Sequence, residues 1–234
     1  MESSSNAFNV AFQMIWTLDP DFLEIVGLSL RVSLTAVVLA TLIALPLGAA
    51  LALWRFPGRG AVVIVLNALM GLPPVVAGLM IYLLLSRAGP LGSWGLLYTP
   101  TAMIIVQCLL VTPIIAALTR QVIADLHEEY REQLGSLNVS ALRAVPTLLW
   151  DGRFSLLTGV LAGFGRATAE VGAVIIVGGN INHVTRVMTT TIALETSKGN
   201  LALAVGLGVV LLLLAVAVTA ALTGVQNLAR RYQG

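Results

Sequence analysis

The chain has 234 residues, of which 58% are hydrophobic and only 10% charged, and its mean hydropathy is +0.94. Soluble domains carry about 25% charged residues, so this composition excludes a soluble enzyme and a disordered chain and requires a polytopic membrane protein. The net charge of +2 is spread over thirteen cations with no basic run, which excludes a nucleic-acid partner, and the single Cys108 supports neither a disulfide framework nor a cysteine metal site.

The predicted elements are all helical. Residues 1–21 form an outer N-terminal segment with no Lys or Arg, in which 8–16 is too short to span and no cleavable signal is expected. Apolar runs of spanning length follow at 22–53, 61–85, 100–118, 156–177 and 201–222, the last continuing as a helix to about 228. No barrel-type alternation occurs, so the fold class is all-α with five transmembrane helices inside a region of 22–229, followed by a tail at 230–234. Eight cations fall on one set of connections and three, Arg87, Arg186 and Lys198, on the other, with Arg31 and Arg166 inside spans. Cytoplasmic loops collect Lys and Arg, which puts the N-terminus outside and the C-terminus inside. Arg31 is expected to snorkel to the interface.

Within this frame, the second span holds Pro73-Pro74 in the string Gly71-Leu-Pro-Pro-Val-Val-Ala-Gly78. Proline removes a helix donor, so the helix must bend or break there. The backbone groups set free then need cover from protein or a wet cavity. Residues 119–154 form a long connection of mixed charge, with Ile123, Leu126, Tyr130 and Leu134 at helical spacing, an apolar face that asks for a partner. On a continuous fourth helix Gly159, Gly163, Arg166, Glu170, Ala173 and Val177 would share one face, with Arg166 and Glu170 paired at i,i+4. Intramembrane charges face protein or water rather than lipid. The pair therefore reads either as a structural lock or as part of a pathway or gate. An outer connection at 178–200 contains a short helix, 190–197, stopped by Gly199.

Catalysis finds no support. His127 and His183 lie in loops on opposite sides of the bilayer, no serine has a histidine to activate it, and no phosphate-binding loop appears. The chain has no catalytic residue, no metal site and no cofactor of its own. A secondary transporter often shows broken helices in two repeated halves, and only one proline-interrupted span is visible. A membrane scaffold is the other competing class.

The string Glu129-Tyr-Arg-Glu-Gln-Leu-Gly135, with Val145-Pro146 beyond it, resembles the coupling loop of binding-protein-dependent ABC importers, matching at Glu129 and Gly135 and departing at Tyr130 and Arg131. Sharper is Gly163-Phe-Gly-Arg-Ala-Thr-Ala-Glu-Val-Gly-Ala-Val-Ile-Ile-Val-Gly-Gly-Asn-Ile181, which resembles the molybdate, sulfate and tungstate permeases of that class. Its continuation, Thr185-Arg-Val-Met-Thr-Thr-Thr-Ile-Ala-Leu-Glu-Thr-Ser-Lys-Gly199, is most similar to the tungstate branch. The resemblance implies a type I (MetI-like) importer permease in a bacterial or archaeal cytoplasmic membrane. It further implies a second copy of the chain, two cytoplasmic ATPase subunits that hold the ATP and magnesium, and an outer oxyanion-binding protein, periplasmic or lipid-anchored. Coupling then falls to a loop at about 120–153, through Glu129, Leu134, Gly135 and Leu137. The pathway or gate candidates are Pro73, Pro74, Arg166, Glu170, Asn180, Arg186, Thr189 and Thr190. Thr189 and Thr190 open the outer helix, where hydroxyls suit a passing dianion, although ordinary capping explains them equally well.

Overall fold

Asp19 and Pro20 start the first long helix for local reasons. The Asp19 carboxylate accepts the backbone N–H of Phe22 at 3.0 Å, and proline at the first helical position gives up a donor that would be idle there anyway. The computed structural model describes residues 16, 17 and 19–233, so the expectation for 8–16 lies almost wholly outside the described residues.

Ten α-helices follow: α1 (Pro20–Leu53), α2 (Arg59–Met70), α3 (Pro74–Leu85), α4 (Pro100–Glu129), α5 (Arg131–Ser136), α6 (Ala141–Asp151), α7 (Arg153–Thr168), α8 (Gly172–Gly178), α9 (Met188–Lys198) and α10 (Leu201–Gln233). Three of them, α1, α4 and α10, are long and apolar enough to cross a membrane alone; α2 with α3 and α7 with α8 bring the number to five as bent pairs. The α1–α2 turn uses Gly58 at φ 85°, a left-handed conformation that glycine adopts without strain, and Arg59 reaches back to the Leu51 and Ala52 carbonyls at 2.7 and 3.2 Å. The α2–α3 break falls where the prolines require it, with Pro73 extended and Pro74 opening α3.

The second break corrects the sequence reading. No proline lies between Thr168 and Gly172, yet the helix stops there, so Ala173 and Val177 sit on a different helix from Gly159, Gly163 and Arg166. The second span remains the one interrupted at a proline, and this second break arises without one. The 119–154 connection is helical, as the spacing of its apolar residues suggests, but its first part is not separate from the third span: that helix, expected to end at 118, runs on as α4 to Glu129.

The chain divides into two units. One contains residues up to Ala36, Pro73–Gln107 and Gly165–Val218; the other contains Val37–Leu72, Cys108–Phe164 and Thr219 onward. In the first, Phe22, Ile25, Met188 and Leu207 form a buried cluster of α1, α9 and α10, and the Met188 N–H donates to Ser29 Oγ at 2.7 Å. In the second, Ala49, Ile123, Ala144 and Leu148 are buried, with Leu126, Tyr130 and Leu134 packed on them. The apolar face expected to await a partner is therefore covered largely by the chain itself. Close approaches rest on glycine in both units. A Cβ on Gly48 would lie 2.6 Å from the Ala116 carbonyl oxygen, and one on Gly78 2.8 Å from the Ala173 Cα. Small residues of this kind replace the missing hydrophobic drive between helices in lipid.

Candidate functional site

The α7–α8 break lies within the first unit and brings together residues distant in sequence. Ending a helix at membrane depth frees backbone groups that cost several kcal/mol each if left bare. Side chains meet that demand here. Gln107 Nε2 donates to the Ala167 carbonyl at 3.1 Å, Thr189 Oγ1 donates to the Glu170 carbonyl at 2.8 Å, and the Ala173 N–H donates to Glu170 Oε1 at 3.1 Å. The other carboxylate oxygen of Glu170 takes Arg166 at 2.7 Å. Glu170 is thus both the ion-pair partner and the cap of α8. Its side chain is 4% exposed, whereas that of Arg166 is 37% exposed, so the guanidinium keeps one side open. A cavity of about 10 Å³ adjoins the break between Ser29, Ser33, Gln107, Glu170 and Thr189, room for a single water molecule. The roles of Gln107 and Ser29 were missed from sequence, since a lone amide or hydroxyl in an apolar run carries no positional signal.

The remaining pathway candidates fall apart into three places. Asn180 and Thr190 pair with each other, Thr190 Oγ1 donating to Asn180 Oδ1 at 3.0 Å and Asn180 Nδ2 to the Thr190 carbonyl at 3.3 Å. The Val187 N–H donates to Thr190 Oγ1 at 3.3 Å, so capping falls to Thr190 rather than to Thr189. All of Thr189, Thr190 and Thr191 are buried, their hydroxyls bonded within the chain. Pro73 and Pro74 sit at the other break, and Gly78, one turn beyond, packs on α8 at Ala173.

Arg186 belongs to a third place. It lines a cavity of about 200 Å³ with Asp19, Asp21, Glu24 and His183, and its Nε is buried without a hydrogen-bond partner among the described residues. His183, at φ 57°, faces Glu24 Oε2 across 2.8 Å. That hydrogen bond and the Glu24 charge raise the imidazole pKa above its ordinary value, with Asp21 adding to the effect and Arg186 opposing it. A raised histidine pKa contributes stability that is fully present below about pH 6.5 and fades as pH climbs through the raised value. The thermal midpoint of His183→Asn, a residue that tolerates the left-handed backbone, should therefore fall below that of the unchanged protein at pH 6. The gap should close at alkaline pH; a gap independent of pH would rule out the charged pair.

The coupling candidates occupy the second unit. Glu129 and Gly135 are exposed and Leu137 is 73% exposed, whereas Leu134 packs inward. Gly135 lies within α5, and a Cβ there meets nothing within 4 Å.

Three relatives share sequence with this chain over most of its length. The chain is 38% identical over 227 residues to the tungstate uptake system permease protein TupB of Peptoclostridium acidaminophilum, covering 97% of this chain and all of the relative. It is 37% identical over 202 residues to a probable anion ABC transporter permease protein of Haloferax volcanii, covering 84% and 87% respectively. This chain belongs to the oxyanion ABC transporter permeases. A sulfate transport system permease protein, CysW of Synechocystis, is 32% identical to the permease over 209 residues, covering 85% of this chain and 74% of the relative. No family model matches the permease. It is accordingly a multi-pass membrane subunit of an ABC importer, a transporter component and not itself an enzyme.

Proposed function

We propose that the permease carries tungstate inward, working as a pair of copies driven by two cytoplasmic ATPase subunits that supply ATP and magnesium chemistry. An outer binding protein, periplasmic or lipid-anchored, delivers the anion. The observation that carries the substrate is identity over the full length of a tungstate permease, higher than to the sulfate permease. Molybdate, another tetrahedral dianion, is the second reading, and sulfate follows. The excess of arginines on one set of connections supports an N-terminus outside and a C-terminus inside the cytoplasmic membrane.

The half-open Arg166 guanidinium suits a pathway role. Glu170 offsets part of its charge, so a passing dianion is attracted weakly and released, which transport needs more than tight binding. Pro73, Pro74 and Gly78 hold the adjoining half-helix against α8. In competition for ATP-driven uptake by the reconstituted complex, tungstate should win over molybdate and both over sulfate, with most of the selectivity residing in the binding protein. Sulfate winning would overturn the substrate.

Coupling is assigned to the exposed residues Glu129, Gly135 and Leu137, with Leu134 anchoring them to the core of the second unit. Since nothing within the chain crowds Gly135, Gly135→Asp should shift the stability of the isolated permease by no more than about 1 kcal/mol. It should nevertheless uncouple ATP hydrolysis from uptake. Full uptake by this variant would remove α5 from the mechanism.

A further inference from the structure

The second unit carries an open groove of about 690 Å³ lined by Arg55, Phe56, Arg59, Gly60, Val63, Ile64 and Arg120. Three guanidinium groups border it and no carboxylate does. Arg59 spends its Nε and one terminal nitrogen on the Leu51 and Ala52 carbonyls, which fixes it at the end of α1. Arg120 Nε is buried and has no hydrogen-bond partner among the described residues, an uncompensated donor of a kind that native structures seldom leave. Arg55 is exposed and makes no ion pair among the described residues. The rest of the lining is apolar. Ile64, near the start of an apolar candidate span, is 69% exposed, and Phe56 in the turn before it also stands open.

A small soluble anion would use the arginines and leave the apolar wall idle. A protein partner would bring carboxylates but has no reason to meet residues at the edge of the hydrocarbon. An amphiphile uses both, and basic pockets between transmembrane helices are suited to acidic headgroups. We propose that this groove binds an anionic glycerophospholipid, its headgroup phosphate on Arg55 and Arg120 and its acyl chains along Val63 and Ile64. The arrangement places the lipid at the junction of α1, α2 and α4, at the edge of the bilayer. It stands independently of the substrate and partners proposed above.

The test uses the full-length permease in detergent micelles, with lipid binding read by native mass spectrometry and by thermal midpoint. Dioleoylphosphatidylglycerol should bind more tightly than dioleoylphosphatidylcholine and raise the midpoint, while inorganic phosphate alone should do neither. Arg55→Gln removes an exposed side chain that makes no ion pair among the described residues, so folding is preserved; it should weaken phosphatidylglycerol binding roughly fivefold, and Arg55→Gln with Arg120→Gln roughly 30-fold. Phosphatidylcholine binding should be unchanged in both. Unchanged phosphatidylglycerol binding in Arg55→Gln would overturn the proposal, as would equal binding of the two lipids. Inorganic phosphate protecting as well as the lipid would also overturn it, in favour of a soluble-oxyanion site.

Discussion

Glu170→Ala is expected to be among the most damaging single substitutions in the permease. It removes the partner of Arg166 and the acceptor of the Ala173 N–H together, at a helix break where little else can replace them. Breaking a buried pair costs about 3–5 kcal/mol, and the partial exposure of Arg166 argues for the lower end. A bare Ala173 N–H adds about 1–3 kcal/mol, although the two losses share one site and need not sum. The outcome should be a lower yield of folded protein and a lower thermal midpoint. Arg166→Met combined with Glu170→Gln is the balancing variant. It removes both charges while the glutamine carbonyl keeps the acceptor for Ala173, so it should recover most of the stability lost in Glu170→Ala. Uptake by the double variant then separates the two meanings of the pair: normal transport makes it a lock for the break, and lost transport from a stable protein puts it on the pathway. Strictly additive effects of Arg166→Met and Glu170→Gln would rule out direct pairing.

Gly78→Ala should be the second large effect, and it runs against helix propensity. In an open helical position the change from glycine to alanine gains about 1 kcal/mol. At Gly78 the new methyl meets the Ala173 Cα at 2.8 Å and its carbonyl oxygen at 3.1 Å, backbone atoms that cannot swing aside. Overpacking of this kind typically costs about 1–3 kcal/mol, and here it pushes apart the two half-helices that follow the breaks. Gly208→Ala on α10, where no atom within 4 Å would meet the added Cβ, is the comparison. Measured on the isolated permease, the midpoint should fall for Gly78→Ala and hold or rise for Gly208→Ala. Equal behaviour would mean that α3 and α8 do not rely on that contact.

The parts legible in the sequence are those with local causes. Pro73-Pro74 announces the break of the second span, Gly199 the end of α9, and the apolar runs the candidate crossings. The break of the fourth span has no such mark. It depends on Gln107, sixty residues away, and on Thr189 and Glu170, whose bonds to the freed backbone appear only once the helices are placed. For the same reason the bonding of the threonine run is not legible. Hydroxyls at the start of a helix look ready for an anion, but in the fold they are turned inward to Glu170, Asn180 and Val187. The pairing of Arg166 with Glu170 is legible because Glu170, two residues past the end of α7, still lies within reach of Arg166, even though the face shared with Ala173 does not survive the break. The apolar stripe from Ile123 to Leu134 was read correctly as a packing face, but its cover proved to be α6 and the end of α1 rather than another protein.

The most direct measurement is tungstate uptake into sealed vesicles containing the permease with its ATPase subunits and binding protein, run beside vesicles containing the permease alone. The account predicts accumulation only when ATP, ATPase and binding protein are all present, and none from the permease alone under any ion gradient. Concentrative uptake by the permease alone would contradict it.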